Sequence, residues 1–304
     1  MSWFKRVKPT IKNLSIIPPL PHGDRAGVAI AVCLKNEGSY VAEWVRFHRA
    51  VGVCHFVAYD NGSTDDTCDV LRRELDPCML TIVPWAGRVV ATKTDQSIDG
   101  QVLAFAHAIL NFGGRFRRMA FIDADEFLLP MTGTTIEEAL AAVGNHPNIS
   151  LPWHMFGTSG HKERPVGGVL LNYIRRGANP IGEGEPASNF KCIVDPCEVT
   201  EVAVHHFKTR QFGEMTSNDC GYLADQKARK QRDFYSNQAL QLNHYYSKSE
   251  AEMRAKMMRG WTYALSAQKL EKKMKTTLNT IQENEVEDLA MIRFLRNNRI
   301  NLDS

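Results

Sequence analysis

Val28 to Leu34 is an unbroken apolar run, VAIAVCL, and it restricts the fold more than any other feature of the chain. A short continuous run of this kind suits a strand buried on both faces, not the alternating pattern of a half-exposed one. Lys35 ends it. Gly38 and Ser39 then open a helical pattern in which Val41, Trp44, Val45 and His48 share roughly one face, and Gly52 closes it. His55 to Tyr59 reads as a second strand, Asp60-Asn61-Gly62-Ser63 as a turn, and Thr64 to Leu75 as a second helix with Asp65 and Asp66 well placed in its first turn. Met79 to Pro84 is a third strand and residues 85 to 98 a loop. A helix over Gln101 to Leu110 stops near Gly113, and a fourth strand, Met119 to Ile122, runs into Asp123-Ala124-Asp125-Glu126-Phe127. Strands alternating with helices predict an α/β fold whose mostly parallel sheet is covered on both faces. Such sheets bind ligands beyond the carboxyl ends of their strands.

The remainder of the chain changes character twice. Thr134 and Glu137 suggest a capping box for a short helix ending near Gly144. Residues 149 to 208 turn strand-rich, with runs at Val169 to Ile174, Phe190 to Val194 and Val199 to Phe207. After 220 the chain reads as helical and charged, with Ser249 and Glu252 as another capping box. This divides the 304 residues into a Pro-rich leader (1–25), an α/β domain (26–215) and a helical extension (216–304) packed on the same domain.

Charge excludes one class of partner. Lys and Arg total 37 against 34 acidic residues, a net charge of +3, far from the one-sided basic balance of a dedicated nucleic-acid binder. Seven cysteines without a CxxC pair read as buried free thiols. The N-terminal stretch lacks the apolar core of a signal peptide, because Lys12, Asn13, Pro18 and Pro19 interrupt it. No stretch reaches the ~18 apolar residues a membrane span needs. The expected location is the cytoplasm, with Trp3, Phe4, Lys5, Arg6 and Lys8 as either a frayed terminus or a weak peripheral contact with the membrane surface.

Two polar clusters are candidates for chemistry. In extended backbone, residues i and i+2 face the same side, so Asp123 and Asp125 can converge on one cation at the tip of the fourth strand. Hard divalent ions such as Mg²⁺ or Mn²⁺ are commonly shared between carboxylates and substrate phosphates. A solvated acidic turn is the alternative, although Phe127-Leu128-Leu129 directly behind it argues that the acids are held in place. The second cluster is Asp60-Asn61-Gly62-Ser63-Thr64-Asp65, beside Lys35-Asn36-Glu37. It offers a carboxylate for a base ring NH and polar groups for a ribose, or it is merely turn and cap chemistry.

The run VAIAVCLKNEG (28–38), the DNGSTD turn (60–65) and IDADEF (122–127) together resemble a family 2-like glycosyltransferase of the GT-A fold, closest to bacterial relatives of the family 92 type with its DxDEF motif. WHMFGTSG (153–160), Lys191-Cys192-Ile193-Val194, His205-His206 and Asn243-His244-Tyr245 resemble segments of that group in the same order. The likeness covers about residues 26 to 260. It implies sugar transfer from a nucleoside diphosphate donor, with inversion at the anomeric carbon and a bound Mn²⁺ or Mg²⁺. Carried over, Glu37 and Asp60 would hold the nucleoside, Asp123 and Asp125 the ribose, diphosphate and metal, and Gln101 would lie near the donor.

Other residues carry weaker expectations. Strand alternation separates His205 from His206, and the valine-lined face of His206 is the better core, which leaves His205 as the metal-ligand candidate. Lys191 and His244 suit a diphosphate, and Lys256 or Arg259 would join them if their helix caps the cleft; that helix, with Lys248 and Arg254, otherwise reads as a solvated face. Inversion needs a general base, for which Glu126, His154, Glu214 and Asp219 are candidates, alongside Asp125 as a catalytic acid group. Trp153, His154 and Phe156 form either an aromatic platform for an acceptor sugar or a buried cluster. The acceptor is expected to be a glycan or a lipid-linked group. The competing functions are a sugar nucleotidyltransferase, which the single glycine and the acid of Lys35-Asn36-Glu37-Gly38 disfavour, and a non-catalytic nucleotide-sugar binding protein.

Overall fold

The structure, a computed structural model, describes residues 9–178, 180, 189–259, 267–282 and 284–302. Its strands relevant to the site are β1 (Asn13–Ser15), β2 (Val28–Leu34), β3 (Val53–Asp60), β4 (Leu80–Pro84), β5 (Arg118–Phe121) and β6 (Glu126–Pro130). The second half supplies β7 (Asn148–Met155), β8 (Phe190–Val194), β9 (Val199–Ala203), β10 (Phe207–Thr209), β11 (Thr216–Ser217) and β12 (Leu240–His244). The helices are α1 (Val41–Ala50), α2 (Thr67–Glu74), α3 (Gly100–Phe112), α4 (Ile136–Ala139), α5 (Glu250–Arg259), α6 (Ala267–Gln282) and α7 (Ala290–Asn297), apart from a short turn at Val169–Asn172.

The large sheet runs β11-β7-β8-β5-β2-β3-β4, with β12 joined to β7 and β6 joined to β12. Strands β5, β2, β3 and β4 are parallel, whereas β8 is antiparallel to both β5 and β7. The apolar run of β2 is buried on both sides, as its composition requires. Ile30, Val32 and Leu34 face the cluster formed with Trp44, Val45 and Phe47 of α1, while Ala29 and Ala31 face Val102, Phe105 and Ile109 of α3. The small alanines let α3 approach closely. All four residues expected on the inner face of α1 are buried.

The structure departs from the sequence pattern in several places. Val169 to Ile174 is a helical turn, not a strand, and the capping box lies one residue on, at Thr135 and Glu138. Residues 216 onward are not simply helical, because β12 lies buried between β6 and β7. Nor is the leader separate: β1 pairs with β9, and Arg25 makes two hydrogen bonds to Asp195 at 2.6 and 2.8 Å. The cysteines are free, yet only Cys192 and Cys197 are buried. Trp3 to Lys8 lie outside the described residues. Among the described residues no helix is long and apolar enough to cross a membrane.

Candidate active site

The register of β2 against β3 aligns Leu34 with Asp60, so the two loops that follow leave the sheet side by side. They are stapled together. The Asn36 N–H donates to Ser63 Oγ at 3.0 Å, Thr64 N–H to Asn36 Oδ1 at 2.7 Å, and Gly38 N–H to Asp65 Oδ2 at 3.1 Å. Asp60 Oδ1 accepts from Ser63 N–H at 2.9 Å, closing the Asn-Gly turn. Asp60, Ser63 and Asp65, expected to bind a donor, are therefore spent on shaping the loops and do not line the cleft. Short polar side chains at a turn reach nearby backbone first. Lys35, Asn36, Glu37, Asn61 and Gly62 do line a cleft of about 1130 Å³, together with Gln101 and Asp123.

A second cavity of about 390 Å³ adjoins it, sharing Lys35, Glu37, Asn61, Asp123 and Lys256, and adding Asp125, Trp153, His244 and Tyr246. Asp123 stands where the two meet, and Asp125 lines the smaller one beside it. They get there by a different route from the expected one, since β5 ends at Phe121 and the two acids occupy a turn before β6. Glu126 closes that turn, its Oε2 accepting from Asp123 N–H at 2.8 Å while Trp44 Nε1 donates to the Glu126 carbonyl at 2.8 Å.

Each acid has its own cationic partner. Lys191, at the start of β8 and 1% exposed, puts Nζ 2.8 Å from Asp123 Oδ2 and 3.9 Å from Glu126 Oε2. Gln101 Nε2 donates to the other Asp123 oxygen at 2.8 Å. Burial alone would raise the Asp123 carboxyl, but Lys191 outweighs it and holds the group below the ordinary carboxylate range. Asp125 is paired with Lys256 of α5 and faces His244 Nε2 at 3.4 Å. Burial would raise the Asp125 carboxyl, but Lys256 above all holds it well below the usual range. Glu126 behaves oppositely: full burial, against the pull of Lys191, pushes its carboxyl well above the ordinary value. Its Oε1 and His244 Nδ1 face each other at 3.9 Å, and neither atom has a hydrogen-bond partner among the described residues.

The remaining candidates are committed elsewhere. Glu126 is fully buried against its own turn, so it has no access to an acceptor hydroxyl. His154 points away from the cleft to Tyr235 Oη at 3.0 Å, and burial brings its imidazole down to about 3. Only Trp153 of the expected aromatic platform lines the cavity, since Phe156 is buried and stacked on Tyr245. Asp219 is buried and accepts from the Ala239 and Leu240 N–H groups, and Glu214 is exposed on a loop outside both cavities. His205 and His206 lie in the bend between β9 and β10, not in a strand, which removes the alternation argument. His205 Nδ1 faces the Phe190 carbonyl at 3.0 Å with its ring edge against Trp153. Lys248 sits over the Tyr40 ring, Arg254 is exposed, and the Arg259 side chain lies outside those described.

Trp85, Arg88 and Asp99 also line the larger cleft and were not anticipated. Two signals were available. Trp85 directly follows the carboxyl end of β4, and Asp99 caps α3 by accepting from the Gln101 and Val102 N–H groups.

With this geometry in place, comparison with known proteins adds the lineage. A family model for glycosyltransferase family 92 matches residues 29–289. The chain belongs to that family. A family 92 protein of Ricinus communis is 29% identical over 71% of this chain and 38% of its own length, and one of Oryza sativa is 28% identical over 66% and 34%. The chain thus spans little more than a third of the length of these relatives. The crystal structure of S. aureus TarS aligns at 15% identity over 83% of this chain and 43% of that one with a TM-score of 0.34, too distant to carry an argument. The architecture of this family 92 chain is α/β, a large mixed sheet flanked by helices.

Among the described residues no group of three or more His, Cys, Asp or Glu side chains converges as a cage, and His205 meets the Phe190 carbonyl and the Trp153 ring. Two carboxylates beside a cleft nevertheless suit Mg²⁺ or Mn²⁺, which commonly take one or two protein carboxylates and complete their shell with phosphate oxygens and water. Asp123 and Asp125 fit that pattern.

Proposed function

We propose that this chain transfers a sugar from a nucleoside diphosphate sugar, UDP-linked in the first instance, to a hydroxyl of a glycan or lipid-linked acceptor. The observation that carries the reading is the position of Asp123 at the junction of a larger polar cleft and a smaller aromatic-lined cavity, with Asp125 on the smaller side. The larger cleft suits a nucleoside, with Glu37 and Asn61 as polar partners and Trp85 as a ring surface. The smaller suits the transferred sugar, whose CH faces can pack on Trp153 and Tyr246. A cation held by Asp123 and Asp125 would neutralise charge on the departing diphosphate.

The chain's own residues do the rest. Lys191 and Gln101 fix Asp123, His244 fixes Asp125, and Lys256 brings a mobile positive charge to the junction. In the inverting reaction, the acceptor oxygen bonds to the anomeric carbon as the bond to the diphosphate oxygen breaks. The electron pair leaves with the nucleoside diphosphate, and the acceptor proton passes to a base. The test is a thermal-shift screen of UDP, GDP, CMP and dTDP sugars with and without Mn²⁺, followed by turnover assays. A true donor at about 100 times its dissociation constant adds ~2.7 kcal/mol of apparent stability. No shift with any of them rules the reading out, and binding without turnover on any acceptor reduces it to a binding protein.

A further inference from the structure

Lys256 is placed by an unusually well-fixed helix start. Ser249 and Glu252 form a reciprocal cap, with the Ser249 hydroxyl 2.6 Å from Glu252 Oε2 and the Glu252 N–H 3.3 Å from Ser249 Oγ. The Tyr173 hydroxyl donates to the same carboxylate at 2.8 Å, and the Tyr40 hydroxyl donates to its other oxygen. One turn further on, Lys256 reaches into the junction of the two cavities and closes on Asp125 Oδ2. Its Nζ also lies 3.3 Å from the Tyr246 carbonyl and 4.2 Å from the centre of that ring. The two partners differ in freedom. The Asp125 side chain is 12% exposed and also faces His244, whereas that of Lys256 is 37% exposed on a long, rotatable stem.

A divalent ion and an ammonium group compete for the same carboxylate oxygen, because their mutual repulsion in a partly buried site weakens the hold of each. A diphosphate offers the ammonium group an alternative, with two or more negative charges in the adjoining cleft. We propose that Lys256 is an internal counter-ion that occupies the cation's place on Asp125 until the diphosphate of the donor draws it away. This rests on the functional reading above and adds an order to it: the free protein binds the metal poorly, and nucleotide and metal enter together or nucleotide first. Because coupling between two ligands is reciprocal, Lys256 also links the two affinities beyond the direct contact of metal with phosphate.

The experiment follows free Mn²⁺ by electron paramagnetic resonance as the full chain is titrated, with and without UDP. Wild type is expected to bind Mn²⁺ weakly alone and much more tightly with UDP. Lys256→Met, and Lys256→Gln as a second variant should the first fold poorly, are expected to bind Mn²⁺ without nucleotide roughly tenfold or more tightly than wild type, and to bind UDP more weakly when Mn²⁺ is absent. Lys256→Arg retains the charge and should stay close to wild type. Equal Mn²⁺ affinity of wild type and both neutral variants in the absence of UDP overturns the inference while leaving the functional reading intact. Tight Mn²⁺ binding that survives Asp125→Asn in the Lys256→Met background also overturns it. Failure of every form to bind Mn²⁺ even with UDP overturns the cation reading itself, and the inference with it.

Discussion

Replacing Lys191 by Met tests the electrostatic frame of the site most directly. The ammonium group is 1% exposed, 2.8 Å from Asp123 and 3.9 Å from Glu126, and it lies 6.0 Å from the centre of the Trp153 ring. At an effective dielectric constant of about 20, two unit charges interact by about 6 kcal/mol at the shorter of these separations and about 4 kcal/mol at the longer. Removing one partner of a buried pair costs about 3–5 kcal/mol, because the other charge stays buried without compensation. Solvent returns part of that here, since the Asp123 side chain is 32% exposed, which places the expected loss near the lower end, about 3 kcal/mol. Adding Asp123→Asn removes the orphaned charge, so the double variant should be more stable than Lys191→Met alone, with a coupling energy of about 1 kcal/mol or more.

The pH dependence has a definite sign. Lys191 depresses the Asp123 carboxyl in the fold, so its stabilising contribution is present above the unfolded-chain value and lost as pH falls through the lower folded one. The deficit of Lys191→Met should therefore be full at pH 7 and shrink toward pH 3. Urea unfolding at several pH values measures all three quantities. A loss under 1 kcal/mol at neutral pH, or strict additivity of the two substitutions, would refute the account.

Three further outcomes are expected. Burial brings the imidazoles of His48 and His154 down to about 3, so both are neutral when folded; stability should be complete above the ordinary histidine value and fall as pH drops toward 3. His48 shows why, since its Nδ1 donates to the Trp44 carbonyl while Nε2 accepts from Leu128 N–H; His48→Leu should flatten the pH slope of unfolding, and an unchanged slope counts against this. A Cβ at Gly114 would stand 2.8 Å from the Leu20 carbonyl oxygen, so Gly114→Ala should lift the leader and cost roughly 1–3 kcal/mol, with faster proteolysis near residue 20 as the readout. Gln101→Ala deletes the hydrogen bond to Asp123 and should weaken donor binding by about 2- to 12-fold, the equivalent of 0.5–1.5 kcal/mol, measured by calorimetry.

Local rules account for what the sequence alone determined. The apolar run of β2, the buried face of α1 and the cap at Ser249 and Glu252 depend on residues at most a few positions apart, and periodicity and capping act over that range. The same holds for the acidic pair at 123 and 125. Its convergence on one place was legible as two carboxylates close together, although a turn closed by Glu126 produces it and not an extended strand. Residues that could serve either a ligand or a turn were ambiguous in sequence. The fold resolved Asp60, Ser63 and Asp65 as loop staples because a second loop came within hydrogen-bonding reach.

Only tertiary structure decided which charges meet. Lys256 and Asp125 are 131 positions apart, and the sequence left that lysine level with Arg259 as a diphosphate candidate, with nothing in composition or spacing to pair it with Asp125. Strand β12 was hidden for a related reason: Gln241, Asn243 and His244 are polar yet buried, so hydropathy gives no strand signal where the requirement is hydrogen bonding and charge pairing in the interior. Patterning selects elements because apolar burial depends on local periodicity. Site chemistry depends on distances of a few ångströms between side chains remote in sequence, and those distances exist only once the sheet has formed.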